Sequence, residues 1–351
     1  MANMNIRTPR FYCDLINYQM SRGKAQNGNF DVMSGSNLIN TFTQGSEPEL
    51  FDMRPSNLCS WDTTADSGAD HVVVNIDTGH TDLLHGFIAI LNHNMKTADA
   101  KFRVYSEDDP NESNLQAVNF SGGHARAMTE VVNGQPDANS DGTALVTPRH
   151  DGSTIVTFAE NNDRYWGIQF EGTAGGGTDE FSTSTAMTIG CVLIGEYYDM
   201  PHAPDLAVKR SVIFDQVKVQ ESIGGQRFGN MTSHGKQASA TSKSPFSTTT
   251  SNLQVFGGRM SYDMSFSYMA STDLMPDEMD TYNPTDDSFL EDVWNQVNGN
   301  HLPFIFSIDG SLSGDGNDGE HMFARFGQSN LDMTQVAPDV FNISLKIEEE
   351  F

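Results

Sequence analysis

Short stretches in which β-branched and aromatic residues crowd or alternate recur along the chain, each closed by Gly, Asn, Asp or Pro. In the first half these are 71–77 (HVVVNID), 85–91 (HGFIAIL), 101–106 (KFRVYS), 154–159 (TIVTFA), 165–170 (YWGIQF) and 186–198 (AMTIGCVLIGEYY). Strands of this length, separated by turn chemistry, predict a β-sandwich. Two prolines within Pro201-His202-Ala203-Pro204 then interrupt any ladder, since each fixes φ and removes a donor, and the sequence predicts a domain junction near 205–207. The expected organisation is an N-terminal arm (1–34), a sandwich (35–206) and a β domain (207–351).

Past the junction, 212–220 (VIFDQVKVQ) is strand-like. The run 259–269 (RMSYDMSFSYM) alternates, placing Met260, Tyr262, Met264, Phe266 and Tyr268 on one face. Phe289, Leu290, Val293, Trp294 and Val297 have helical spacing, with Ser288 and Glu291 in capping-box positions and Gly299 as the stop; they predict a helix over 287–298. Strands are expected at 302–308, 321–326 and 340–347. Between 232 and 251 the chain turns Ser/Thr-rich with one aromatic, Phe246. Such a segment lacks the apolar surface to fold alone, and it is expected to be an assembly loop ordered by a neighbouring subunit. The fold class is mainly β: an N-terminal jelly-roll sandwich plus a C-terminal β-sheet domain with one packed helix.

Composition narrows the function. In 351 residues, 47 Asp and Glu face 20 Lys and Arg, a formal charge of −27. That charge disfavours bulk electrostatic binding to nucleic acid or anionic lipid, and Lys209-Arg210 is too small a basic patch to reverse it. Cys13, Cys59 and Cys191 lie far apart without metal-site spacing, and are expected as free thiols made in a reducing compartment. Residues 1–10 show no apolar leader, and the longest apolar runs are too short to span a bilayer.

Candidate chemistry is sparse. Asp77-Thr78-Gly79 has the spacing of an aspartic-protease loop but no second copy, and reads better as a strand end turning on Gly79. Asp137, Asn139 and Asp141, followed by Gly142, have calcium-loop spacing, although Pro148 stands where the bidentate acid belongs. Asp309, Ser311, Ser313 and Glu320 fit a calcium loop better, with the acid in place but Gly316 where an apolar anchor is usual. These two acidic loops are the candidate metal sites, and calcium is the only cofactor suggested. The ten histidines are scattered, and no phosphate-binding glycine loop, nucleophile elbow or HExxH motif occurs. No enzymatic constellation is complete, so the expectation is a non-enzyme.

Two segments carry a resemblance. Asn75-Ile76-Asp77-Thr78-Gly79, then Gly86 to Asn94 (GFIAILNHN) and Lys101 to Tyr105, with Tyr165 to Phe170 and Ile189 to Glu196 closing, resemble phage virion proteins that carry a galactose-binding-like jelly roll. This likeness spans about residues 35–206. The Trp294-bearing helix followed by Gly299-Asn300-His301-Leu302-Pro303-Phe304 and the acidic end Glu348-Glu349-Glu350 is similar to the C-terminal halves of some phage tail proteins. Cys191, where the family has a larger or basic residue, and the long 309–320 loop depart from the pattern. The resemblance implies a structural component of a tail or distal tail, made in the host cytoplasm and resident in the virion. Its partners would be copies of itself and other virion proteins. The alternatives are a capsid decoration protein, or a host-adsorption module in which Trp61, Tyr105 or Trp166 stacks on a host glycan.

Overall fold

The structure, a computed structural model, describes residues 7–21, 30–33, 37–68, 70–79, 83–108, 125–138, 144–159, 162–173, 180–214, 217–231, 246, 258–279, 286–314 and 320–350. It is mainly β, and its sheets are antiparallel. The largest has eleven strands. From one edge the order is Lys209–Ile213, Arg259–Ala270, Val340–Glu349, His321–Phe326, Phe304–Ser307, Arg10–Asp14, Cys191–Asp199, Gly86–His93, Gly152–Thr157 and Thr129–Val132, with Thr334–Ala337 also paired to Val340–Glu349. A six-stranded sheet is built from Phe30–Val32, Val72–Asp77, Tyr165–Gly172, Ala100–Glu107, Ala144–Thr147 and Gln135–Ala138 in that order.

The two sheets enclose the first core. Ile88, Ile90, Val192 and Ile194 of the large sheet meet Val74, Phe102, Trp166, Ile168 and Phe170 of the smaller one. Further along the same face of the large sheet lies a second core, where Tyr262, Met264, Phe266, Leu345 and Ile347 pack on Phe289, Val293 and Val297. The reverse face is apolar as well: Tyr12, Phe87, Ala89, Leu91, Leu193, Ile305 and Phe323 cluster there. A strand buried on both faces needs no polar register. This is why Phe87 to Leu91 is an uninterrupted apolar run.

The residues expected as a free arm contribute the strand at the centre of this sheet. Phe11 is registered with Tyr198 on one side and Phe306 on the other, so Arg10–Asp14 joins the sandwich half to the second half. Phe11 and Cys13 enter the second core and Tyr12 the reverse face, so all three read as apolar with no alternation to mark a strand. The junction expected after Pro204 does not interrupt the sheet either. Cys191–Asp199 is nine residues long, about 30 Å of extended chain, and runs from Val192 in the first core to Tyr198 in the second. Gly195 makes this pairing possible: a Cβ there would lie 2.0 Å from the carbonyl oxygen of Cys13.

Other expectations shift locally. In Arg259–Ala270 the alternation holds through Phe266 and then breaks at a bulge. Tyr268 adopts φ +64° and is 76 % exposed, while Met269 takes the buried place intended for it. The predicted helix contains a π-helical stretch over Leu290–Asn295, closed by wide turns such as Gly299 N–H to Trp294 O (2.9 Å). Its first turn is capped by Asp292, whose carboxylate accepts the Ser288 N–H at 2.7 Å, not by the Ser288/Glu291 box. The wider helix turns Trp294 partly outward against Phe326 (5.0 Å), and Phe289 becomes the buried anchor, edge-on to Phe11 and Tyr198. Of the Ser/Thr-rich stretch 232–251 only Phe246 is among the described residues. It is buried on the reverse face of this chain's own sheet, near His321.

Two stability outcomes follow. Phe289→Ala should cost about 3–5 kcal/mol and Trp294→Ala less than about half of that, as chemical denaturation of the two variants would read. Gly195→Ala should destabilise more than an average core change, because the obstacle is backbone and not a movable side chain. A Gly195→Ala melting temperature equal to that of the parent would mean the central pairing is looser than described.

Candidate functional site

Where the two cores meet, the strands bring together side chains that the sequence scatters. Glu196 sits inward on its strand with Oε1 accepting the Leu84 N–H at 2.7 Å. Asp292 projects from the π-helical turn, and with Leu84, His85, Tyr197, Asp286 and Asp287 these acids line a shallow groove. His85 stacks on the Tyr197 ring (5.3 Å between centroids) and places Nε2 3.6 Å from Asp287, which raises the imidazole pKa above its ordinary value. The Arg10 guanidinium lies 3.9 Å from the Tyr197 centroid and forks onto Asp199 at 2.6 and 2.7 Å.

Beneath the groove the acids are buried. Asp14 caps the helix Leu15–Ser21 by accepting the Asn17 N–H at 2.8 Å and also takes the Ile194 N–H at 3.1 Å; burial nonetheless raises its pKa to about 6. Burial is the main force on Asp292 too, and with Glu196, Asp287 and Glu291 nearby its pKa rises to about 9. Burial pushes the Cys13 thiol well above its ordinary pKa, and Asp292, Asp14 and Glu196 add to that shift. At the meeting of the two cores, burial thus opposes the charged forms of Asp14 and Asp292. The sequence carries a faint mark of it, in acids standing inside apolar runs: Asp14 in YCDLI and Glu196 in LIGEYY.

Of the residues singled out from the sequence, Asn139 and Asp141 lie outside the described residues, as does the side chain of Asp137. Asp309 is buried, its Oδ1 accepting the Ser311 N–H and hydroxyl (3.0 and 2.6 Å) and its Oδ2 3.8 Å from Arg7. Ser313 is exposed and Glu320 half-buried at the start of the next strand. Among the described residues no three His, Cys, Asp or Glu side chains converge as a metal site. Asp77 forks with Arg164 (2.6 and 2.8 Å) and caps the Gly79 N–H, a strand end turning as the sequence suggests. Trp61, Tyr105 and Trp166 are all buried, so none is presented to a sugar ring. Cys13, Cys59 and Cys191 are free and buried, and no helix among the described residues is long and apolar enough to cross a membrane.

A second feature is a surface. Val217–Glu221 and Arg227–Met231 form a hairpin that, among the described residues, pairs with no other strand. Its turn is closed by Ser222 N–H to Gln226 O (2.8 Å), with Gly225 at φ +78°. Val217 and Val219 occupy one face, Phe228 the other and Ile223 the tip. Val219 is 63 % and Phe228 56 % exposed. Seven of the eleven exposed large hydrophobics among the described residues fall between Leu206 and Phe228, so exposure is concentrated here.

No family model matches the chain, and no curated protein does. Among solved structures it is similar to CpGH89CBM32-4, produced by Clostridium perfringens, at 12 % identity and a TM-score of 0.27, over 53 % of this chain and 100 % of that one.

The buried acids set a pH dependence. An unfolded Asp292 titrates near 3.8 and the folded one near 9. Between those values the native state binds more protons than the unfolded state, so this group's contribution falls as pH rises, and the full penalty is reached above about pH 9. Asp292→Asn keeps an acceptor for the Ser288 N–H and removes the charge. Its melting temperature should match the parent's near pH 4 and exceed it increasingly from pH 5 to pH 9. A constant difference across that range would place the carboxylate in water.

Proposed function

We propose that the chain is a non-enzymatic structural subunit of a virion, of the phage tail or distal-tail type, in which a galactose-binding-like jelly-roll half is carried on a half that packs against neighbouring subunits. The observation that carries this reading is the isolated hairpin. A two-stranded ribbon without a packed face is marginal in water, and a contiguous set of exposed apolar residues marks an interaction surface. On this ribbon Val217 and Val219 expose apolar surface on one face, Phe228 on the other and Ile223 at the tip. The resemblance of 35–206 and of the C-terminal half to virion proteins supports the same conclusion. In this reading the subunit is made in the host cytoplasm and resides in the particle, with copies of itself and other virion proteins as partners. A net charge of −27 suits a component lying near DNA that must not bind it.

Negative-stain images of purified particles labelled with an antibody to this chain are the test. Label at a fixed position on the tail is the expected result. Recovery of the chain only from the unassembled fraction of the lysate would overturn the reading.

A further inference from the structure

The hairpin differs from the rest of the chain in charge as well as in exposure. Between 217 and 231 the basic residues Lys218 and Arg227 outnumber Glu221 two to one; in the remainder, acids outnumber bases 46 to 18. The hairpin therefore carries +1 and everything else −28. Lys218 is exposed along its strand, and among the described residues Arg227 pairs with the exposed Glu221 (3.2 Å), a pair that contributes little to stability.

Resting on the assembly reading above, we infer that the hairpin docks on the body of a second copy of this chain. Charge decides both the partner and the geometry. Two hairpins brought face to face would set like charge against like charge, whereas each is attracted to the acidic remainder of a neighbour. Apolar contact from Val217, Val219, Ile223 and Phe228 supplies the affinity, and the basic residues supply orientation and encounter rate. A contact between two different patches of identical subunits is heterologous. Repeated, it gives a ring where the rotation closes and a filament where it does not, in contrast to a two-fold dimer.

Sedimentation velocity on the full chain tests this. Wild type should self-associate, more tightly at low salt than at 0.5 M salt, where the screening length falls to a few ångströms. K218E/R227Q should raise the self-association Kd about tenfold at low salt, with the gap closing as salt is added. V219S/F228S should weaken association at every salt concentration. These positions are exposed, so both variants should keep the parent's circular dichroism and melting temperature.

A third variant, with 217–231 replaced by a short Gly-Ser linker, tests the geometry. Mixed into wild type, it can receive a hairpin but offer none, so it should terminate growth and shorten the assemblies. Assemblies that ignore the added variant would indicate hairpin-to-hairpin contact and overturn the heterologous arrangement. Wild-type-like association of both point variants would remove the hairpin from the interface while leaving the assembly reading standing. A wild type that stays monomeric at all concentrations would overturn the assembly reading itself.

Discussion

Everything else in the architecture depends on the double ladder made by one five-residue strand. Arg10–Asp14 hydrogen-bonds to Cys191–Asp199 along one edge and to Phe304–Ser307 along the other. Without it the large sheet would be two sheets, each with an open edge in its middle. With it, a single sheet carries a sandwich on part of one face, a helix-covered core on the next part, and a shared apolar reverse face. Gly195 shows how tight this joint is, since even a methyl group would collide with the Cys13 carbonyl.

The joint is also where the polar groups are most constrained. Asp14 ends the central strand, caps the following helix and bonds to the Ile194 N–H, so one carboxylate serves three segments of chain. Glu196, from the neighbouring strand, and Asp292, from the π-helical turn, lie near each other and, with Asp14, act on the Cys13 thiol. Apolar packing surrounds this group of acids, so the cost of ionising them falls on the contact between the two cores. The Arg10 guanidinium, forked onto Asp199 and lying against Tyr197, supplies positive charge at the rim.

Much of the fold is visible in the sequence where burial has a period. The alternation of 259–269 and of Phe341, Ile343, Leu345 and Ile347 matches strands with one buried face, and the crowded run 86–91 matches a strand buried on both. The central strand is hidden for the opposite reason. Five residues with both faces covered give neither a period nor a long apolar run. The bulge at Tyr268 and the π-helical turn are hidden because one extra residue in a ladder or turn is set by tertiary fit, not by local preference. The hairpin misleads in its own way: Val217 and Val219 have the β-branched character of a packed strand, yet all of Val217–Glu221 is exposed. Strand preference says what a pleated surface would accept, and leaves open whether that surface belongs to the same chain.

The position of the first strand also bears on how the chain is made. Phe11 is synthesised long before its partner Phe306. In that interval the segment FYCDL waits for both ladders, since Tyr198 is also distant in sequence. Pairings of such long sequence separation are slow to form, and an apolar segment left waiting invites contacts with other nascent chains. The sandwich can close around its own core beforehand, but the sheet becomes whole only once Phe304–Ser307 has been made. A sheet joined by a strand made well before its partners is thereby assembled last at its own centre.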